Sequence, residues 1–342
     1  MPHSHHSHSG QFCRHAKDNL EEVVQEAIRQ GFQVYGLSEH APRYRVEDLF
    51  PEEADLQPSD LLKIYLEFLS TAKSLKLKYA SKIKLLISIE TDYITEIDFI
   101  KTSKLLKNEI QNIDYIVGSV HHVNGISIDF NKLTFLKSIK YCKKNEQGRT
   151  MNPGPPPFLE LDSESEEEIE DLKEEEIIIF LNNYFDQQFN LIYKFKPEII
   201  GHFDLCLLWI PNFNFKKNKL IWEKIKRNLK KVIEYGGLFE ANSASLRKGW
   251  NTSYPSKDIL NLIVSLGGKI CLSDDSHGIS YVGLNYKKMR DYLVDQGVTE
   301  IWYLVSSVED MQEGDEEIKN DRGKVFARKM VGWDKHPFWN DK

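Results

Sequence analysis

Apolar residues recur along this chain in two alternating rhythms. Leu20, Val23, Val24, Ala27 and Ile28 share one face of a helix, with Asp18 placed to cap its start and Gly31 to end it. A β-like run follows at 32–37, and others lie at 83–89, 113–120, 198–201, 238–241, 269–272 and 300–305. Between them, amphipathic segments occupy 58–76, 96–110, 178–195, 219–235 and 256–266. Strands alternating with helices predict βα units and a parallel α/β sheet of seven or eight strands, depending on whether the short N-terminal stretch qualifies. Polar strings follow nearly every run: Glu39-His40, Glu90, His121, His202, Asn242, then Asp275 and His277. An open sheet would gather such residues near one switch point, whereas a closed barrel collects all its strand ends at one rim. The pattern therefore predicts a barrel with its site at the C-terminal rim of the strands.

One stretch breaks the rhythm. Residues 142–176 carry Asn152-Pro153-Gly154-Pro155-Pro156-Pro157 and then Asp162-Ser163-Glu164-Ser165-Glu166-Glu167-Glu168. Proline followed by a like-charge block does not repay the entropy of ordering, so a disordered acidic insertion is expected inside a single domain over 1–342. A regulatory role for that insertion is the sharper alternative. The basic stretch 216–231 has a core face made by Leu220, Ile221, Ile225 and Leu229, so its lysines read as a solvated outer face.

Composition narrows the function classes. With 41% hydrophobic residues in 342, a substantial core is available, and a formal net charge of −7 argues against a nucleic-acid partner. Cys13, Cys142, Cys206 and Cys271 form no C-x-x-C pair, which speaks against a zinc knuckle or a disulfide framework and for reduced thiols. There is no apolar run of ~18 residues and no signal-like N-terminus. The expectation is a cytoplasmic protein with a small-molecule substrate and no membrane.

Eleven histidines change the picture most. The string His3-Ser4-His5-His6-Ser7-His8 is interrupted by serines and runs directly into Gly10-Gln11-Phe12-Cys13-Arg14-His15, unlike the unbroken run of an expression tag. Neutral imidazole is a common ligand for zinc, iron and manganese. Residues i and i+2 of a strand share a face, so His6 with His8, and Asp275 with His277, can each grip one ion together. Glu90 supplies a carboxylate able to bridge two ions. Any one histidine alone is more often structural, as His336 is expected to be. Taken together at equivalent strand ends, they form a candidate multinuclear metal centre.

These motifs resemble the polymerase and histidinol phosphatase (PHP) superfamily, with its early H-x-H, late D-x-H and intervening His, Glu and His motifs. More narrowly, His6-Ser7-His8-Ser9 with Cys13 and His15, Ser38-Glu39-His40-Ala41-Pro42-Arg43, Ser119-Val120-His121-His122 and Glu240-Ala241-Asn242-Ser243 resemble the histidinol-phosphate phosphatases. The similarity extends to about Val305, interrupted by the insertion. It implies a distorted (β/α)7 barrel with a trinuclear site. His6, His8, Glu90 and Asp275 match the ligands of a first ion, and Glu90 bridges to a second held by His121 and His202. His15, His40 and His277 match the third. His3 and His5 also spell H-x-H, but Ser9 and the stretch from Cys13 to His15 favour the His6 and His8 register.

The implied reaction is metal-dependent hydrolysis of L-histidinol phosphate in histidine biosynthesis, needing no covalent serine or cysteine because the ions supply the nucleophile. Arg247 is expected to grip the phosphate as a planar fork, with Arg43 a second candidate. Asp129 is a candidate for a cationic amine or imidazolium of the substrate. Alternatives are another small phosphate ester, an exonuclease-like activity, or a metal-binding regulatory protein without turnover. The filled ligand strings oppose the last. Zinc, iron and manganese suit these ligands equally.

Overall fold

The computed structural model describes residues 2–146, 172–306 and 310–341. Seven parallel strands neighbour one another in chain order. They are β1 (His3–Ser4), β2 (Val34–His40), β3 (Lys84–Thr91), β4 (Tyr115–Gly118), β5 (Ile199–Ile200), β6 (Leu238–Asn242) and β7 (Lys269–Ser273). The ring nearly closes. His5 N–H donates to the Leu272 carbonyl at 3.3 Å, and Leu272 N–H donates to His3 Nε2 at 2.9 Å. The short N-terminal stretch is thus a barrel strand, and its first two histidines hold the seam.

Helices cover the outside: α1 (Leu20–Arg29), α2 (Pro58–Lys78), α3 (Glu96–Asn108), α4 (Lys132–Glu146), α5 (Glu174–Phe195), α6 (Lys219–Tyr235), α7 (Lys257–Ser265) and α8 (Tyr286–Asp295). Because both faces of each strand are covered, the strands are buried almost end to end, as in β3, where only Lys84 is exposed. One continuous apolar core runs from Leu20 to Trp339. Inside the barrel the Tyr115 hydroxyl donates to the His5 carbonyl at 2.6 Å. A Cβ on Gly36 would lie 2.0 Å from that hydroxyl, so glycine is needed there.

Several expectations need correction. The cap of α1 is Asn19, whose N–H donates to Glu22 at 2.8 Å; Asp18 instead adopts φ 65° and accepts from Ile279 N–H. Glu300–Ser306 is not a barrel strand. As β8 it pairs antiparallel with β9 (Val325–Val331) and covers the seam, its Leu304 N–H donating to His5 Nε2 at 3.0 Å. The ends of the expected disordered insertion are helical, in α4 and α5, while the proline and acidic tracts lie outside the described residues. Helices α4 and α8 were not anticipated from the sequence, although Tyr286, Met289 and Leu293 bury one face of α8.

Register sets up the site. In the β2–β3 ladder His40 stands opposite Glu90. Beyond the rim, Ser7–His8 pairs in parallel with Ser276–His277, bringing His8 beside His277. Asp275, at φ 48°, takes the left-handed conformation that aspartate tolerates as the chain leaves β7.

Candidate metal centre

Glu90 lies at the middle of the rim, buried, with a ring of imidazoles around it. Its Oε1 is 3.2 Å from Nε2 of His6, of His121 and of His202. Its Oε2 is 3.3 Å from His8 Nε2 and 3.0 Å from His40 Nδ1. Asp275 Oδ1 stands 3.7 Å from His6 Nε2 and 3.8 Å from His8 Nε2. His15, His40 and His277 place nitrogen atoms close enough together to share one ion. All seven candidate histidines and both carboxylates therefore meet in one place, although they come from opposite ends of the chain.

Carboxylates behind the ring fix individual imidazoles. His6 Nδ1 faces Glu240 Oε2 at 3.1 Å, His8 Nδ1 faces Glu39 at 3.3 Å, and His15 Nδ1 faces Glu52 at 3.1 Å. Each carboxylate favours a proton on the Nδ1 that faces it, which makes Nε2 the nitrogen available to an ion, the arrangement typical of metal-binding histidine. Glu39 is in turn fixed by the backbone and hydroxyl of Ser9. Glu240 accepts from His202 N–H and from the Asn242 side-chain amide, both at 2.7 Å. Sequence reasoning assigned no role to Glu39, Glu52 or Glu240. Glu39 and Glu240 did lie within the quoted motifs, and that adjacency was the available signal.

The donor set fits divalent metal. Three imidazole pairs face each other through Nε2: His6 and His8 at 3.1 Å, His15 and His40 at 3.2 Å, and His121 and His202 at 3.2 Å. In the first pair both Nδ1 atoms are turned to carboxylates, so the two Nε2 atoms can meet only by sharing a cation, a proton in the metal-free protein or a metal ion. Glu90 Oε2 is buried without a hydrogen bond, and among the described residues no lysine or arginine is ion-paired with the carboxylate of Glu90 or Asp275. Nitrogen and oxygen donors of this kind suit zinc, iron and manganese.

Electrostatics in the protein alone agree. Burial disfavours charge on Glu90 and Asp275, but the surrounding histidines overcome it and hold both well below the usual carboxylate range. Burial likewise opposes protonation of His8 and His121, yet neighbouring carboxylates push them up to about 9 and about 10. His15, His40 and His277 are shifted down, by burial first and then by nearby His8.

A cavity of about 270 Å³ opens over this cluster. Arg247 and Lys248 line it, as do Glu52, Asp129, Phe50 and Phe130. Arg247 ends a single helical turn, Ala244–Arg247, directly after β6; its Nη1 is 3.4 Å from the Asp275 carbonyl and its guanidinium lies 4.4 Å over the Tyr281 ring. Arg43 does not line this cavity. It is buried, packed 4.3 Å over the Phe50 ring, and ion-paired through Nη2 with Glu53. Of the remaining histidines, His3 and His5 hold the seam, His336 accepts from Phe338 N–H, and His122 bonds Asp92 at 2.7 Å.

Residues 4–244 match the model of the PHP domain. The chain belongs to the PHP domain family. It is 44% identical over 306 residues to a protein named "Probable histidinol-phosphatase" from Schizosaccharomyces pombe, covering 88% of this chain and 89% of that one. It is 31% identical over 326 residues to a protein of Saccharomyces cerevisiae named histidinol-phosphatase, covering 86% and 88%. Among solved structures it resembles histidinol phosphate phosphatase of Lactococcus lactis, which was determined with zinc, L-histidinol and phosphate. That match has a TM-score of 0.58 and 18% identity, covering 88% of this chain and 95% of that one, and it concerns the PHP fold. Among the described residues no helix of this PHP protein is long and apolar enough to cross a membrane.

Proposed function

We propose that this protein hydrolyses L-histidinol phosphate to L-histidinol and inorganic phosphate, in the synthesis of histidine, using three divalent ions of zinc, iron or manganese. The observation that carries the reading is the convergence of seven histidines, Glu90 and Asp275 beneath one cavity, in a chain 44% identical to a relative bearing that name. His6, His8, Glu90 and Asp275 would hold the first ion, Glu90, His121 and His202 the second, and His15, His40 and His277 the third. Such ions supply a nucleophilic water at neutral pH and neutralise charge developing on the phosphoryl oxygens.

The chain's own residues do the rest. Glu240, Glu39 and Glu52 keep His6, His8 and His15 in one tautomer, so the ligand nitrogens are ready before substrate arrives. Arg247 offers a planar fork to phosphate oxygens from the cavity wall, with Lys248 adding a second positive charge. Asp129 offers a carboxylate to the amine or imidazolium of the substrate. No serine or cysteine lines the cavity among the described residues, consistent with attack by water. A small, partly acidic cavity favours a small phosphate ester over a nucleic acid. Four cysteines that form no disulfide favour a cytoplasmic setting.

The test is phosphate release from a panel of phosphomonoesters by metal-loaded protein and by its Glu90→Gln variant. Wild type should cleave histidinol phosphate well above glycerol phosphate, and Glu90→Gln should lose both bound metal and at least a hundredfold in rate. Equal rates on all esters would defeat the substrate assignment, and full activity in Glu90→Gln would defeat the bridging role.

A further inference from the structure

Two phenyl rings line the cavity, and they differ in how they are engaged. Phe50 is fully occupied by the protein. Its N–H donates to Glu53 at 2.9 Å, the Arg43 guanidinium lies 4.3 Å over its ring, and it stacks on His122 with centroids 5.9 Å apart. Phe130 is 40% exposed and, among the described residues, has neither ring partner nor cation. Exposing a large apolar side chain at a cavity lined mainly by charged and imidazole side chains brings no folding benefit.

The backbone nevertheless holds it there firmly. Residues 122–127 form a hairpin turning at Asn124 and Gly125, both at positive φ. The buried Ile128 then donates its N–H to the His121 carbonyl at 2.9 Å. On the other side Asn131 accepts from Thr134 N–H at 2.8 Å, fixing the start of α4. Asp129 and Phe130 are the only two residues between these anchors. Asp129 Oδ1 accepts from the Ser127 hydroxyl at 3.2 Å, so this carboxylate is also oriented. The acid and the ring line the same cavity as Arg247 and Lys248.

We infer that Phe130, with Asp129, is the specificity determinant of the site: it packs on a planar heteroaromatic ring of the substrate while Asp129 meets the positive charge that substrate carries. The inference rests on the proposed substrate and adds to it the element that selects it. An unengaged phenyl ring beside a carboxylate attracts a flat, partly cationic ring through stacking and cation–π contact. An ester lacking both, such as glycerol phosphate, gains nothing from the pair and uses only the phosphate end.

The experiment compares KM and kcat for histidinol phosphate and glycerol phosphate in wild type, Phe130→Leu, Phe130→Tyr and Asp129→Asn, each checked for metal content. Phe130→Leu should raise KM for histidinol phosphate roughly five- to tenfold with kcat little changed, and leave glycerol phosphate unaffected. Phe130→Tyr should keep wild-type KM, and Asp129→Asn should raise KM for histidinol phosphate about tenfold more than for glycerol phosphate. An unchanged preference in both Phe130→Leu and Asp129→Asn overturns the inference while leaving the proposed reaction standing. A wild type with no preference for histidinol phosphate overturns the proposed substrate and this inference together.

Discussion

Replacing Glu240 by glutamine would test how far a residue that need not touch metal controls metal binding. Glu240 Oε1 accepts from His202 N–H and Asn242, and Oε2 faces His6 Nδ1 at 3.1 Å. Glutamine can keep its oxygen on the two 2.7 Å donors, which then points its amide at His6 Nδ1, donor against donor. His6 escapes the clash by moving its proton to Nε2, and it then has no lone pair for an ion. A hydrogen bond to a charged group contributes about 1.5–3 kcal/mol, and loss of such a supporting carboxylate typically costs ~10–100-fold in metal affinity. The expected result is a drop in metal affinity of that size in a chelator competition, with circular dichroism unchanged. Metal retention equal to wild type would refute the reasoning, because it would mean that His6 does not depend on Glu240 for its tautomer.

Arg247→Ala should raise KM for phosphate esters about 10–100-fold with metal content intact, since a charged hydrogen-bond pair is lost; steady-state kinetics beside metal analysis checks this, and an unaltered KM removes Arg247 from phosphate binding. Stripped of metal, the folded protein keeps protons on His8 and His121 up to about 9 and about 10, against 6.5 for ordinary histidine. The folded state then binds more protons than the unfolded one between these values, so this contribution to stability is complete below 6.5 and is lost as pH rises. Melting temperature of the chelated protein should therefore fall from pH 6.5 to 10, and a flat or rising profile would contradict it. His5 is held neutral by burial, its pKa pushed down to about 3, and it accepts from Leu304 N–H. His5→Ala leaves that buried donor unpaired and opens a void, so the urea midpoint should show a loss of about 2–4 kcal/mol; a loss below ~1 kcal/mol would mean that the seam does not depend on His5.

Much of the barrel was legible because its strands are short, apolar and separated by strongly patterned helices, and the segments of α2, α3, α5, α6 and α7 emerge from periodicity alone. Glu300–Ser306 misled for a physical reason. Its buried pattern is the same whether the strand pairs in parallel within a barrel or antiparallel outside it, and only the distant Val325–Val331 decides which. The pairing of Arg43 with Glu53 is likewise unannounced by anything local in the sequence.

The sequence by itself determined the types of donor and their places at strand ends, since residue chemistry and strand period are local properties. Which nitrogen faces which carboxylate was settled only by the tertiary structure. His3 and His5 spell the same H-x-H as His6 and His8, and the physical reason for their different fates is tertiary: the parallel pairing of Ser7–His8 with Ser276–His277 turns one H-x-H toward Glu90 while closure of the β1–β7 seam consumes the other. Glu39, Glu52 and Glu240 gained their positioning roles in the same way, through contacts 31, 37 and 234 residues distant in the chain. Pairing across such separations depends on how the barrel closes, and no local pattern encodes it.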